Sequence, residues 1–203
     1  MPRPKKTAAQ IESARVQILD AALAILQESG PEAITSRAIA ERMGVAHMSL
    51  YTYFENQAAI LRALRLREMT RWHSRQQFFS QRAETEDISL VVKDLLRFFI
   101  AFARENPNLY RIAWVMSDVG GETPAESRQR MQVTAGRLAT LLQKGMESGA
   151  FEPRNPLLAA GAVLAMVNAP FIFFYSGKLV DAALRDQMVD EVLSAALGYL
   201  EKK

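Results

Sequence analysis

Residues 34–54 read ITSRAIAERMGVAHMSLYTYF, and this stretch decides how the chain folds. It describes two short helices joined by a tight turn. Thr35 stands where a hydroxyl accepts an orphan backbone N–H of a helix beginning just after it. Ile39, Ala40 and Met43 then recur at helical spacing on one face. Gly44 follows, the residue type that best tolerates the left-handed backbone closing a helix. Val45 is expected as the apolar plug of the turn. A second helix is expected over Ala46 to Tyr53, with Leu50 and Phe54 facing inward. His47, Met48, Ser49, Tyr51, Thr52 and Tyr53 remain outside. A short helix with small, polar and aromatic groups outward fits the reading helix of a helix-turn-helix, which enters the DNA major groove.

The flanks support this reading. Ala9 to Ser29 is expected as a helix, with Ile18, Ala22 and Ile25 in one row and Leu19, Leu23 and Leu26 beside it. Gly30-Pro31 stops it, and Ile34 should pack beneath it. After Phe54 comes a turn over Glu55 to Gln57, with Asn56 as N-cap of a long helix. Ile60, Leu61, Leu64 and Met69 are its apolar positions, and it should run to about Phe79.

The order Thr35, Ile39-Ala40-Glu41, Gly44-Val45, Leu50-Tyr51, Tyr53-Phe54 resembles the DNA-binding domain of TetR-family transcriptional regulators. The Leu-Tyr-x-Tyr-Phe ending after a Gly-Val turn is specific to that family among helix-turn-helix proteins. The motif-bearing resemblance covers about the first quarter of the chain, while the remainder agrees in length and helical layout only. It implies that the start of the long helix sits at a DNA phosphate, where orphan N–H groups and the helix dipole favour an anion. The family usually has Lys where this chain has Gln57, and often a capping Ser or Thr where this chain has Ala46. It also implies that the arm Met1 to Thr7, MPRPKKT, reaches DNA through Lys5 and Lys6. A merely solubilising tail is the alternative for that arm.

Composition narrows the rest. The 203-residue chain suits one large or two small domains, and it has no cysteine, hence no disulfide, thiolate metal site or thiol nucleophile. The first sixty residues carry six basic and six acidic side chains, so that segment is near neutral. Between residues 61 and 82, Arg62, Arg65, Arg67, Arg71, Arg75 and Arg82 face only Glu68. Basic charge therefore brackets the helix-turn-helix in sequence. The two histidines, His47 and His73, lie far apart. No metal-ligand spacing, phosphate loop or nucleophile elbow is present, so no metal, cofactor or enzymatic activity is expected.

The C-terminal part reads as further helices: Ile88 to Ala103, a short one opened by Asn106-Pro107, about Ala125 to Ser148, Leu157 to Tyr175, and about Asp181 to Leu200. Asp118 to Pro124 is a loop. Asn155 to Gly177 holds no charge. Its length and hydropathy suit a membrane span, but Asn168 and Pro170 interrupt it and no Lys or Arg cluster flanks it. No membrane association is therefore expected. In TetR-like proteins the last two helices pair with a second copy, which makes Ala162, Met166, Phe173, Met188, Val192 and Ala196 candidates for a homodimer face. The same half is rich in aromatic residues and Met. Any one of them reads first as core, yet together Trp72, Phe98, Phe102, Tyr110, Trp114, Met166, Asn168, Phe171 and Tyr175 are candidates to line a pocket for a small apolar or aromatic effector.

The expectation is an all-α protein of about nine helices. A three-helix helix-turn-helix domain (1–55) precedes a helical ligand-binding and dimerisation domain (56–203). The function expected is a cytoplasmic, effector-released repressor bound to a double-stranded DNA operator. Thr35, Tyr51 and Tyr53 are candidates for phosphates, His47, Met48 and Ser49 for base edges, and Arg37 for either, with Ser36, Ala46 and Gln57 also counted among the DNA-binding residues. A helical ligand-binding or protein-interaction module without DNA binding is the alternative.

Overall fold

A computed structural model describes residues 7–116 and 123–201. Lys5, Lys6 and most of the loop expected over Asp118 to Pro124 lie outside the described residues. The α-helices are α1 (Ala8–Ser29), α2 (Ser36–Met43), α3 (Gln57–Arg82), α4 (Ile88–Glu105), α5 (Pro107–Tyr110), α6 (Pro124–Glu147), α7 (Pro156–Tyr175) and α8 (Ala182–Leu200). Pro31–Ala33 and His47–Thr52 are 3₁₀ segments, and Arg111–Val115 is a π-helical turn following α5. Among the described residues there is no strand, only an isolated bridge between Phe151 and Glu201. The chain divides into two compact units, Met1–Arg71 with Asn108–Glu122, and Trp72–Pro107 with Thr123–Lys203. The division falls inside α3 rather than near residue 55, because the first turns of α3 supply Ile60 and Leu64 to the core of the first unit.

In the first unit, α1 starts directly after the segment read as an arm. Thr7 caps it, accepting from the Gln10 amide, while the Gln10 side chain accepts from the Thr7 amide. Gly30 ends it at φ 84°, where Pro31 prevents continuation. Thr35 accepts from the Ala38 amide and starts α2, and Gly44 closes α2 at φ 65°. The turn is not plugged by Val45, which is 40% exposed. Main-chain bonds hold it instead, from the Val45 amide to Ala40 and from the Gly44 amide to Glu41. Ile18, Ala22 and Leu26 of α1 close over Ile34, Ile39, Leu50 and Phe54. Burying each of these large side chains contributes about 1.5–3 kcal/mol.

The second helix of the motif differs from expectation. It is a 3₁₀ segment, His47–Thr52, and not an α-helix. Ala46 has the extended backbone of an N-cap but no side-chain oxygen to offer, and no side-chain cap is made. The end is tightened instead by an i to i+3 bond from the Ser49 amide to Ala46, 2.8 Å.

In the second unit each long helix has a side-chain cap. Asp87 opens α4, Thr123 with Glu126 opens α6 as a reciprocal box, Asn155 opens α7 ahead of Pro156, and Asp181 opens α8. Asn106 does not open α5. Its amide donates to Phe102 O and closes α4. On α4, Val91, Val92, Leu95, Leu96, Phe99 and Ile100 are buried. The helix α7 packs against both α6 and α8, and it runs unbroken through Pro170, so Asn168 and Pro170 do not interrupt it. The Asn168 amide donates to Leu164 O at 2.7 Å inside the same helix. Gly145 of α6 faces the Phe151 ring so closely that an added Cβ would lie 2.1 Å from it.

Candidate functional site

The first unit exposes Thr35, Arg37, Ala46, His47, Met48, Ser49 and Tyr51. Leu50 and Phe54 hold the reading segment from behind, each almost wholly buried. Met48 is 70% exposed. His47 and Tyr51 stand edge to face with centroids 5.3 Å apart, and the Tyr51 hydroxyl lies 3.4 Å from His47 Nε2. The Tyr51 hydroxyl also approaches the Ser36 hydroxyl at 3.4 Å. Ser36 itself is buried, so it sits under Tyr51 rather than on the outer surface. Tyr53 is half-buried against the core, not outward. Gln57, at the first turn of α3, donates to Ile34 O at 2.8 Å, so its amide ties α3 to the strand-like link before α2. Asn56 caps α3 by accepting from the Ala59 amide.

Charge is distributed differently from its linear order. Arg67 pairs with Asp20 and Glu68, Arg71 with Glu68, and Arg42 makes a two-pronged pair with Glu28. Hydrogen bonds from Arg42 hold the Glu28 carboxyl below the usual carboxylate range. In the second unit Arg82 is shared by Glu86 and Asp94. Much of the basic run from 61 to 82 is therefore neutralised locally, and Arg65 is buried. Arg37 is exposed and has no ion pair among the described residues. Arg15 is a residue that the periodicity of α1 did not mark. Its guanidinium donates to Tyr53 O and covers the Phe54 ring.

The aromatic candidates are mostly packing. Trp72, Phe102, Tyr110, Phe171 and Asn168 are buried, whereas Phe98, Trp114, Met166 and Tyr175 are half-buried. Trp72 is surrounded by Phe98, Phe99 and Phe102 with centroids 5.6–6.3 Å away. Tyr110 stacks on Trp114 at 5.1 Å in the first unit. The Tyr175 hydroxyl donates to Ala103 O at 2.6 Å, and burial raises its pKa. The second unit does hold a cleft, with Trp72, Gln76, Ser80 and Phe99 on one side and Thr134, Arg137 and Leu138 on the other. Including its open mouth it holds about 470 Å³ of empty space, of which about 30 Å³ is open to the centre of a water-sized sphere. Of the residues expected to line a pocket, Trp72 lines this one. Phe102, Tyr110 and Phe171 are packed in the core instead, since rings gain more from each other than from an empty cavity.

The outer face of α7 is apolar. Leu158 is 72% exposed, with Gly161, Ala165 and Phe173 also exposed, and Ala162 and Met166 are half-buried beside them. This is one helix long and apolar enough to cross a membrane, with mean hydropathy 2.1. On α8, Met188 and Val192 are half-buried. Ala196 is wholly buried, on the inner stripe with Val189 and Leu200, and is not available to a partner. Among the described residues no group of three His, Cys, Asp or Glu side chains is placed to hold a metal.

A capped α-helix, a left-handed glycine and a clamped, outward-facing 3₁₀ segment form a helix-turn-helix module of the DNA-binding kind. Residues 18–64 match the sequence profile of bacterial regulatory proteins, tetR family. Over these residues the chain is similar to the DNA-binding domain of that family. The nucleoid occlusion factor SlmA of Mannheimia succiniciproducens is 32% identical over 117 residues, which cover 55% of this chain and 53% of that protein. The HTH-type transcriptional repressor KstR of Rhodococcus jostii is 37% identical over 83 residues, 41% of this chain and 39% of that protein. The chain thus spans about half, or less, of the length of these curated relatives. A TetR-family transcriptional regulator from Pectobacterium atrosepticum shares the fold over 97% of this chain and 99% of its own, with TM-score 0.75 at 18% identity.

Proposed function

We propose that the chain is a homodimeric, cytoplasmic transcriptional repressor that leaves its DNA operator when a small effector binds the second unit. One observation carries the DNA reading: His47, Met48, Ser49 and Tyr51 face outward on a segment clamped by Leu50 and Phe54, beside the unpaired Arg37. In this reading His47, Met48 and Ser49 meet base edges in the major groove. Tyr51, Thr35 and Arg37 meet phosphates. The half-exposed, uncharged α7 pairs with its copy in a second subunit, which sets two reading segments on one pseudo-palindromic site. The effector is small, and its entry widens the cleft beside Trp72. It releases DNA to the extent that it binds the DNA-incompetent arrangement more tightly.

The test is a mobility shift with DNA flanking the chain's own gene, run over a salt series with the parent, Tyr51→Phe and Arg37→Ala. Loss of the Arg37 phosphate contact should lower the salt slope by about one and weaken binding to all sequences alike. Unchanged affinity and slope in both variants would remove the assignment. A helical interaction module without DNA binding is the second reading. It is favoured by the balanced charge of the first sixty residues and by Gln57 being bonded to Ile34 O. Absence of any shift in the parent would select it.

A further inference from the structure

We propose that the cleft of the second unit accepts an amphiphile bearing one negative charge, its anionic end at Arg137 and its apolar end among Leu95, Leu96 and Phe99. This deepens the effector reading above and rests on it. The sign of the ligand follows from the lining. Arg137 is the one charged residue there, and no carboxylate among the described residues pairs with it. One terminal nitrogen of Arg137 donates to His73 O at 2.9 Å. That bond anchors the guanidinium and leaves its other N–H groups, a planar fork whose spacing matches a carboxylate.

The adjacent imidazole adds no charge to that of Arg137. The His73 side chain lies beside Trp72 and within 3.4 Å of the Thr134 hydroxyl. Burial first, then Arg137, hold its pKa down to about 4, so it is neutral near pH 7. The Thr134 hydroxyl donates to Arg130 O, while Gln76 and Ser80 are lining side chains able to bond a second oxygen. Deeper lining is apolar, with Leu95, Leu96, Phe99, Leu138, Leu141 and Leu164. A cationic amphiphile meets a guanidinium with nothing to offset it. A multiply charged molecule finds one cation and then leucine.

The probes are octanoate, octan-1-ol and octylamine, titrated calorimetrically into the full chain. Octanoate should bind about tenfold or more tighter than octan-1-ol, and octylamine should give no heat. Arg137→Gln should reduce octanoate to the affinity of the alcohol, while Arg137→Lys keeps part of the preference. Arg137 is exposed, so both variants should retain the parent's far-ultraviolet circular dichroism, which is measured alongside. Equal binding of octanoate and octan-1-ol by the parent overturns the proposal. So do octylamine binding, an unmoved octanoate affinity in Arg137→Gln, or no heat from any of the three. Operator binding without added ligand is scored on the same samples. Its absence would sink the regulator reading, whereas a carboxylate preference that depends on Arg137 would still stand.

Discussion

The Arg15 guanidinium donates to the main-chain carbonyl of Tyr53 at 2.7 Å, and its central carbon lies 4.2 Å from the centroid of the Phe54 ring. These two contacts join the middle of α1 to the last residues of the reading motif, 38 positions away. A charged donor on a carbonyl contributes about 1.5–3 kcal/mol when half-buried, and the ring contact about 0.5–1 kcal/mol. Both contacts fall on Tyr53 and Phe54, past the end of the 3₁₀ segment, so its influence on DNA is through position. Arg15→Met keeps the stem but removes both contacts. It should lower the urea midpoint of the first unit and weaken operator binding severalfold, with the salt slope unchanged. A changed slope would make Arg15 a phosphate contact instead.

Ala46 offers a second handle on the same segment. Its backbone already has the extended geometry of an N-cap, φ −66° and ψ 134°. Ala46→Ser should place an acceptor for the Met48 or Ser49 amide. A cap of this kind is worth about 1 kcal/mol, or about fivefold in local opening. Hydrogen exchange at those two amides should slow by about that factor. Unaltered exchange would mean that the 3₁₀ form does not result from the missing cap.

The exposed side of α7 carries the dimer proposal. Gly161 leaves open space there, with no atom within 4 Å of where a Cβ would stand, and Ala165 is exposed one turn on. Ala165→Glu places a charge in the centre of that apolar face. In sedimentation velocity the parent should run as a dimer and the variant as a monomer, with operator affinity reduced about tenfold or more. A variant that still sediments as a dimer would move the interface elsewhere.

His73 makes stability depend on acidity. Its pKa is held down to about 4 from 6.5 by burial and then by Arg137. As pH falls below about 6.5, the unfolded chain takes up a proton that the folded chain refuses until about 4. The stabilisation is complete above that window and is lost on descending through it. His73→Gln should flatten the fall in urea midpoint across the window. A parent and variant with parallel profiles would show that the imidazole stays solvated when folded.

The first quarter of the chain was legible because its information is local. Thr35, Gly44 and Asn56 act on amides and dihedrals within three or four residues. Leu50 and Phe54 face inward because helical spacing permits little else once one face is apolar. The sequence by itself therefore determined the motif, its caps and the helical class of the whole. The tertiary structure alone decided what each outward or aromatic side chain was left free to do. Ser36 is buried by Tyr51, Gln57 is taken by Ile34 O, and Arg67 is neutralised by Asp20. Trp72 lines the cleft while Phe171 and Ala196 are buried in packing. Each outcome depends on a partner distant along the chain or on a helix orientation, and periodicity carries neither. Periodicity shows that a face is apolar, and packing chooses whether core, cleft or second subunit covers it.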